Sequence, residues 1–333
     1  MSAYWSGRKA LVAGGTGTIG VPTVRLLQSR GANVTVIAVD SVERALEVLG
    51  ADVEYRRLDL TTLANCLEAT KGFQDVFNLV GIKGSVGVGE SKVASFFYAM
   101  SLFQTNLMEA AYRNGVERFM FVSSICAYPR SAVPKAEDTV WDGMPLQNDR
   151  IPGLVKRIGE VQAETYKLQH GWEGARIVRP ANVYGPLDDF DPATAQVVPA
   201  LIRRILSGEN PLKVWGDGSV VRDFVFSEDV AYWTVEAMEK APGGLPINIG
   251  SGEATTIRDL VTTLCSLVPV APDVIWDPSG PTGDPVRLLD VTRAREILDY
   301  RTRTPLKEGL GRTMAWLSSQ PEGALARKKP LYG

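Results

Sequence analysis

The chain of 333 residues has one histidine, three cysteines and no surplus of charge of either sign. Each shortage removes a class of function. With His170 alone, a histidine-rich metal site is excluded, and histidine acid–base chemistry must run through that residue or not at all. Cys66, Cys126 and Cys265 are odd in number and widely spaced, which suits a reducing compartment and supplies no disulfide framework. The 36 Lys and Arg against 38 Asp and Glu leave a net charge of −2, which argues against a nucleic-acid surface built on bulk charge. No apolar run approaches the roughly 20 residues that span a bilayer. Met1–Ala10 is polar and shows no signal-peptide core. A cytoplasmic protein with no membrane, nucleic-acid or metal partner is the expectation from these absences.

What the chain has in quantity is glycine, 32 residues, several of them placed directly after strand-like runs. Lys9–Ala13 reads as a short buried strand leading into Gly14-Gly15-Thr16-Gly17-Thr18-Ile19-Gly20 and then a helix to Arg30. Asn33–Val39 reads as a second strand ending at Asp40, with Ser41 as N-cap of a helix Val42–Leu49. Val53–Leu58 is a third strand, ending at Asp59; a helix near Thr62–Ala69 and a strand Val76–Val80 follow. Strands alternating with helices predict βαβ units and a parallel sheet. Two long helices are predicted at Lys92–Asn114 and Gly153–Gln169, with the apolar run Arg118–Val122 between them. Beyond Gly185 the segments shorten, and Pro, Gly and Trp become frequent. The predicted organisation is α/β. A doubly wound domain over residues 1–180 takes the chain back near 223–250, a smaller α/β substrate domain covers 181–320, and 321–333 is a tail.

Gly14, Gly17 and Gly20 stand three residues apart, after a strand and at the start of a helix. The first allows the tight turn, the next lets backbone N–H groups approach a pyrophosphate, and the last lets helix and strand pack closely. Asp40 at the end of the second strand can accept hydrogen bonds from an adenosine ribose and would repel a 2′-phosphate. NAD(H) is therefore favoured over NADP(H), although Arg44 lies nearby.

This spacing, with the motifs downstream of it, resembles the extended short-chain dehydrogenase/reductases, Rossmann-type enzymes that include nucleotide-sugar epimerases, dehydratases and reductases. The resemblance runs through Asp59-Leu60, Leu79-Val80-Gly81, Ser123-Ser124-Ile125-Cys126-Ala127-Tyr128-Pro129, Arg179-Pro180-Ala181-Asn182-Val183-Tyr184-Gly185-Pro186, Trp215-Gly216-Asp217-Gly218-Ser219, Arg222-Asp223-Phe224 and Asn248-Ile249-Gly250. Within the family, the pattern from Ser124 to Pro129 and the run Gln196-Val197-Val198-Pro199 are similar to GDP-L-fucose synthases. The resemblance implies a bound nicotinamide cofactor touching Gly14, Gly17, Thr18, Ile19, Gly20, Asp40, Asp59, Leu60, Val80, Gly81, Lys156, Pro180 and Val183. It implies a nucleotide-diphosphate sugar touching Lys83, Ser124, Asn182, Gln196, Leu201, Arg204, Val214, Trp215, Arg222 and Arg287. It also implies a homodimer through a helix bundle.

The resemblance names Ser124, Cys126 and Lys156 as catalytic. In such enzymes the serine orients the sugar C4 oxygen, the cysteine takes a proton beside a ketone, and a Tyr-x-x-x-Lys pair serves the hydride step. Here the tyrosine position is Pro152 and the histidine position is Gln196, an amide that cannot shuttle a proton near neutral pH. Tyr128, Cys126, Lys83 and an ordered water remain open as substitutes. A thiol with a reference pKa of about 8.5 can act as a base beside positive charge, or can simply be a small core residue. The expected activity is nucleotide-sugar epimerisation or reduction through a 4-keto sugar with an altered acid–base set. The alternatives are a catalytically silent sensor of cofactor or nucleotide sugar and, more weakly, a 4,6-dehydratase.

Overall fold

A computed structural model describes residues 3–81, 93–280 and 283–321. The strands are β1 (Lys9–Ala13), β2 (Asn33–Ala38), β3 (Glu54–Arg57), β4 (Asp75–Asn78), β5 (Arg118–Val122), β6 (Ala175–Pro180), β7 (Asn182–Tyr184), β8 (Leu212–Trp215), β9 (Val221–Arg222), β10 (Phe224–Phe226), β11 (Pro246–Ile249), β12 (Thr255–Thr256), β13 (Val274–Asp277) and β14 (Val286–Arg287). The helices are α1 (Gly20–Ser29), α2 (Val42–Leu49), α3 (Leu63–Thr70), α4 (Val93–Arg113), α5 (Arg150–His170), α6 (Val197–Leu206), α7 (Ser227–Lys240), α8 (Ile257–Cys265), α9 (Thr292–Leu298) and α10 (Leu306–Ser318).

Seven strands form one sheet in the order β11-β6-β5-β4-β1-β2-β3, with every neighbouring pair parallel. Both faces are buried, as a parallel sheet with crossover helices requires. On β1, Ala10 and Val12 enter one apolar cluster while Leu11 and Ala13 enter the cluster on the other face. Four consecutive apolar residues that alternate between two cores cannot sit at a half-exposed sheet. The strand order reverses between β1 and β4, so the carboxyl ends of those strands open a crevice, where open α/β sheets bind ligands.

A third cluster, including Leu201, Ile202, Leu212, Phe226, Leu260 and Leu310, fills the space between α6, α8, α10 and the short strands. The strand β9 pairs with both β12 and β14, and β8 pairs with β13. The segment after β5 is tied across to this region: Lys135 N–H donates to the Leu288 carbonyl at 2.8 Å and Asp290 N–H donates back to Lys135. That strap brings residues 124–149 and 284–291 to one wall of the crevice.

One predicted boundary moves in a way that matters. The second long helix starts at Arg150 rather than Gly153. Pro152 therefore sits at the third helical position, where its missing N–H has no intrahelical acceptor to lose. Gly153 is needed just beyond it, because a Cβ there would lie 2.2 Å from the Cys126 carbonyl oxygen.

Candidate active site

The turn after β1 is built from backbone. Gly14 has φ +80° and its Cβ would strike the Leu79 carbonyl carbon at 2.9 Å, so β1 and β4 close on each other only with glycine there. A Cβ on Gly20 would lie 2.3 Å from the Gly14 carbonyl oxygen, which seats the first turn of α1 directly on the glycine turn. This cradle, with Gly17 at its centre and Ile19 as the N-cap residue of α1, leaves backbone N–H groups at a helix N-terminus for an anion. Thr18 donates to the Leu187 carbonyl at 2.9 Å, which fastens the turn to the segment after β7. Asp40 is buried and accepts from the Thr16 hydroxyl, while Tyr55 holds the Asp40 carbonyl at 2.7 Å. Arg44 is paired with Glu47 at 2.7 Å. The Asp59 carboxylate accepts from Thr61 N–H at 2.9 Å, and Leu60 next to it is buried. Val80 and Gly81 follow β4, Pro180 ends β6 and Val183 lies in β7. The residues present thus fit a dinucleotide.

The wall after β5 is built from side chains. Ser124 follows β5, and its hydroxyl accepts from Cys126 N–H at 3.1 Å. Lys156, two turns into α5, donates to the Val122 carbonyl at 2.7 Å, and its ammonium lies 5.3 Å from the Phe121 ring centroid. Burial pushes its pKa down to about 8, against the opposing pull of Cys126 and Glu160. Arg222 and Arg287 stand opposite each other where β9 pairs with β14. Burial, with Arg287 beside it, pushes Arg222 down to about 10. Arg287 pairs with Asp149 at 2.8 Å and reaches the Cys126 sulfur at 3.6 Å. The Cys126 thiol lies above its ordinary value: burial first, and then Asp149, push it up by more than Arg287 and the Ser124 hydroxyl pull it down.

Several expected contacts are placed elsewhere. Tyr128 is no substitute acid. Its hydroxyl is buried, donates to Asn248 Oδ1 at 2.7 Å and accepts from Arg179 at 2.8 Å, and burial raises it to about 12. Arg179 in turn forks onto Glu160 at 2.9 and 2.6 Å, so this network is a buried support beneath Ser123 and Lys156. Leu201 and Val214 lie in the third core, 2% and 5% exposed, so a nucleotide could meet only their backbone. Arg204 is held by Glu209 at 2.7 Å and by the Lys213 carbonyl. Gln196 is the exposed N-cap residue of α6. The Asn182 amide donates to the Asp223 carbonyl at 2.8 Å. Trp215 is 65% exposed, backed by Gly280. Lys83 lies outside the described residues. His170 ends α5, stacked on Tyr112 at 4.7 Å, about 21 Å along the helix from Lys156. The sequence reading missed Asp149, Lys135 and Asp284, which crowd this wall (Lys135–Asp284 3.8 Å). For Asp149 a signal was there: it stands seven residues before Lys156, on the same helical face.

Among the described residues, no cluster of His, Cys, Asp and Glu could hold a metal. None of their helices is long and apolar enough to cross a membrane. The model of the NAD dependent epimerase/dehydratase family matches residues 10–250. The chain belongs to that family. Its likeness to the extended short-chain dehydrogenase/reductases, with their Rossmann-type fold, therefore holds. GDP-L-fucose synthase 1 of Arabidopsis thaliana is 29% identical over 92% of this chain and 92% of its own. The GDP-L-fucose synthase of Escherichia coli is 30% identical over 93% of this chain and 97% of its own. Among solved structures, UDP-glucose 4-epimerase of Thermotoga maritima with UDP-glucose superposes with a TM-score of 0.81 at 26% identity, covering 93% of this chain and 98% of that one.

Proposed function

We propose that this family member is an NAD-dependent epimerase/reductase of a nucleotide-diphosphate sugar, working through a 4-keto sugar with Cys126 as its proton-transfer group. The observation that carries the reading is the pairing of β9 with β14. It sets Arg222 and Arg287 side by side, and the second of them touches Cys126. Two adjacent guanidiniums suit a diphosphate, because each can fork onto phosphate oxygens. A sugar on that diphosphate would face Cys126 and Ser124. Trp215 offers an exposed ring for the base.

When bound, NAD supplies hydride transfer at the sugar. Gly14, Gly17 and Gly20 would hold its pyrophosphate, Asp40 its adenosine ribose and Lys156 its nicotinamide ribose. NAD is favoured over NADP, because the buried Asp40 would repel a 2′-phosphate and Arg44 is committed to Glu47. In the proton step, a Cys126 thiolate takes a proton from the carbon beside the ketone, and the electron pair moves to the C4 oxygen, where Ser124 can donate. Return of the proton restores the thiolate. Exposed Phe97 and Tyr98 on α4 and Ile158 and Val161 on α5 suit a homodimer through a helix bundle.

Pro152 and Gln196 favour the second reading, a protein that binds both ligands and turns over neither. Mass spectrometry of the denatured protein, with exchange of a 4-keto nucleotide sugar in deuterated water, separates the two. Released NAD and deuterium uptake that Cys126→Ser abolishes support the enzyme. Sugar affinity without exchange supports the silent protein. Cofactor without nucleotide-sugar affinity overturns both.

A further inference from the structure

The wall around Cys126 holds more charge than a proton-transfer thiol needs. Arg287 reaches it from β14, Asp149 and Lys156 from the start and second turn of α5, and the Ser124 hydroxyl from its own turn. Asp284 and Arg222 stand behind Arg287. The guanidinium of Arg287 is divided. One terminal nitrogen is shared between Asp149 at 2.8 Å and the Cys126 sulfur at 3.6 Å. Its Nε–H is buried and has no partner. A buried donor without an acceptor is costly, and an ion pair one atom away does not relieve it. Arg222, by contrast, spends a terminal nitrogen on the Val221 and Asp284 carbonyls. The two arginines are neighbours in register, but only Arg287 is seen at the thiol.

We propose that Arg287 has two tasks, anchoring a diphosphate through Nε while its terminal nitrogen favours the Cys126 thiolate against the burial that opposes it, and that Asp149 is the positioning residue that keeps it turned that way. The diphosphate half rests on the function proposed above; the thiolate half does not. One side chain then links the nucleotide end of the substrate to the proton-transfer group. A mispositioned Arg287 would lose thiolate even with its charge intact. The thiol gives its proton to solvent on ionising, so no co-reactant is required.

The test is a titration of thiolate ultraviolet absorbance in the full-length protein, read as the difference from Cys126→Ser. Arg287→Gln raises the Cys126 midpoint by at least one pH unit, a tenfold loss of thiolate at a given pH below it. Arg222→Lys leaves the midpoint where it was. Asp149→Asn is the sharper case. Removing a bare negative charge would lower the midpoint, whereas releasing Arg287 raises it. An unmoved midpoint in Arg287→Gln overturns the thiolate role, and a midpoint that fails to rise in Asp149→Asn overturns the positioning role. Circular dichroism checks folding of each variant, and Arg287→Lys serves in the same way if the glutamine variant does not fold. Calorimetry with GDP and UDP tests the other half: Arg287→Lys weakens binding at least tenfold. A shifted thiol with unchanged nucleotide affinity leaves the thiolate role standing and removes the diphosphate reading.

Discussion

At the glycine turn, backbone meets backbone within one stretch of seven residues, and a single Cβ on Gly20 would lie 2.3 Å from the Gly14 carbonyl oxygen. Around Cys126, the contacts are between side chains drawn from three segments: the turn after β5, the start of α5 and β14. The first region has no spare volume, so its residue types are dictated. The second is held by charge and reach, so one group can stand in for another. Pro152 is accommodated beside this second region. The helix begins early enough to make proline harmless, and the charged residues on either side, Asp149 and Lys156, stay on one face.

If the contrast is right, the largest effect belongs to Gly20→Val. The clash is with backbone that cannot rotate away, so the variant loses about 3 kcal/mol of stability and retains no cofactor. Chemical denaturation and mass spectrometry of released NAD would measure both, and a stable, cofactor-loaded variant would break the comparison. Next is Lys156. Lys156→Met lowers cofactor-dependent turnover at least tenfold, about 1.4 kcal/mol. The same residue sets a pH limb. With its pKa pushed down to about 8 it is cationic below that pH and neutral above it, so turnover falls as pH rises through about 8. Lys156→Arg moves that fall to higher pH. A pH profile unaltered in the arginine variant would mean another group supplies the charge. The smallest effect is expected at Arg44, whose pair with Glu47 lies at the surface. Arg44→Ala changes stability by about 0.5 kcal/mol or less and leaves the NAD-over-NADP preference intact in binding titrations.

Legibility follows the same division. β1 and α2 fall where the strand run and the Ser41 cap put them, because apolar run, cap and glycine stop act over a few residues. α5 starts three residues before the predicted Gly153, with Pro152 inside its first turn, where a helix has no bond for proline to break. Tyr128 looked free to act, since nothing near it in sequence shows that Arg179 and Asn248 close over its hydroxyl from 51 and 120 residues away. Asp149 has a local signal in its spacing from Lys156, but its partner, Arg287, is supplied by a strand far along the chain.

The sequence by itself determined the parallel sheet and the glycine turn that follows its first strand. Periodicity, glycine spacing and residue identity are local properties, and local sterics enforce them. Only the tertiary structure decided what surrounds Cys126, which arginine reaches it and which carboxylate holds that arginine. Those contacts join segments up to 161 residues apart. The pairing of β9 with β14 and the strap from Lys135 to Leu288 bring them together, and no short-range pattern records either.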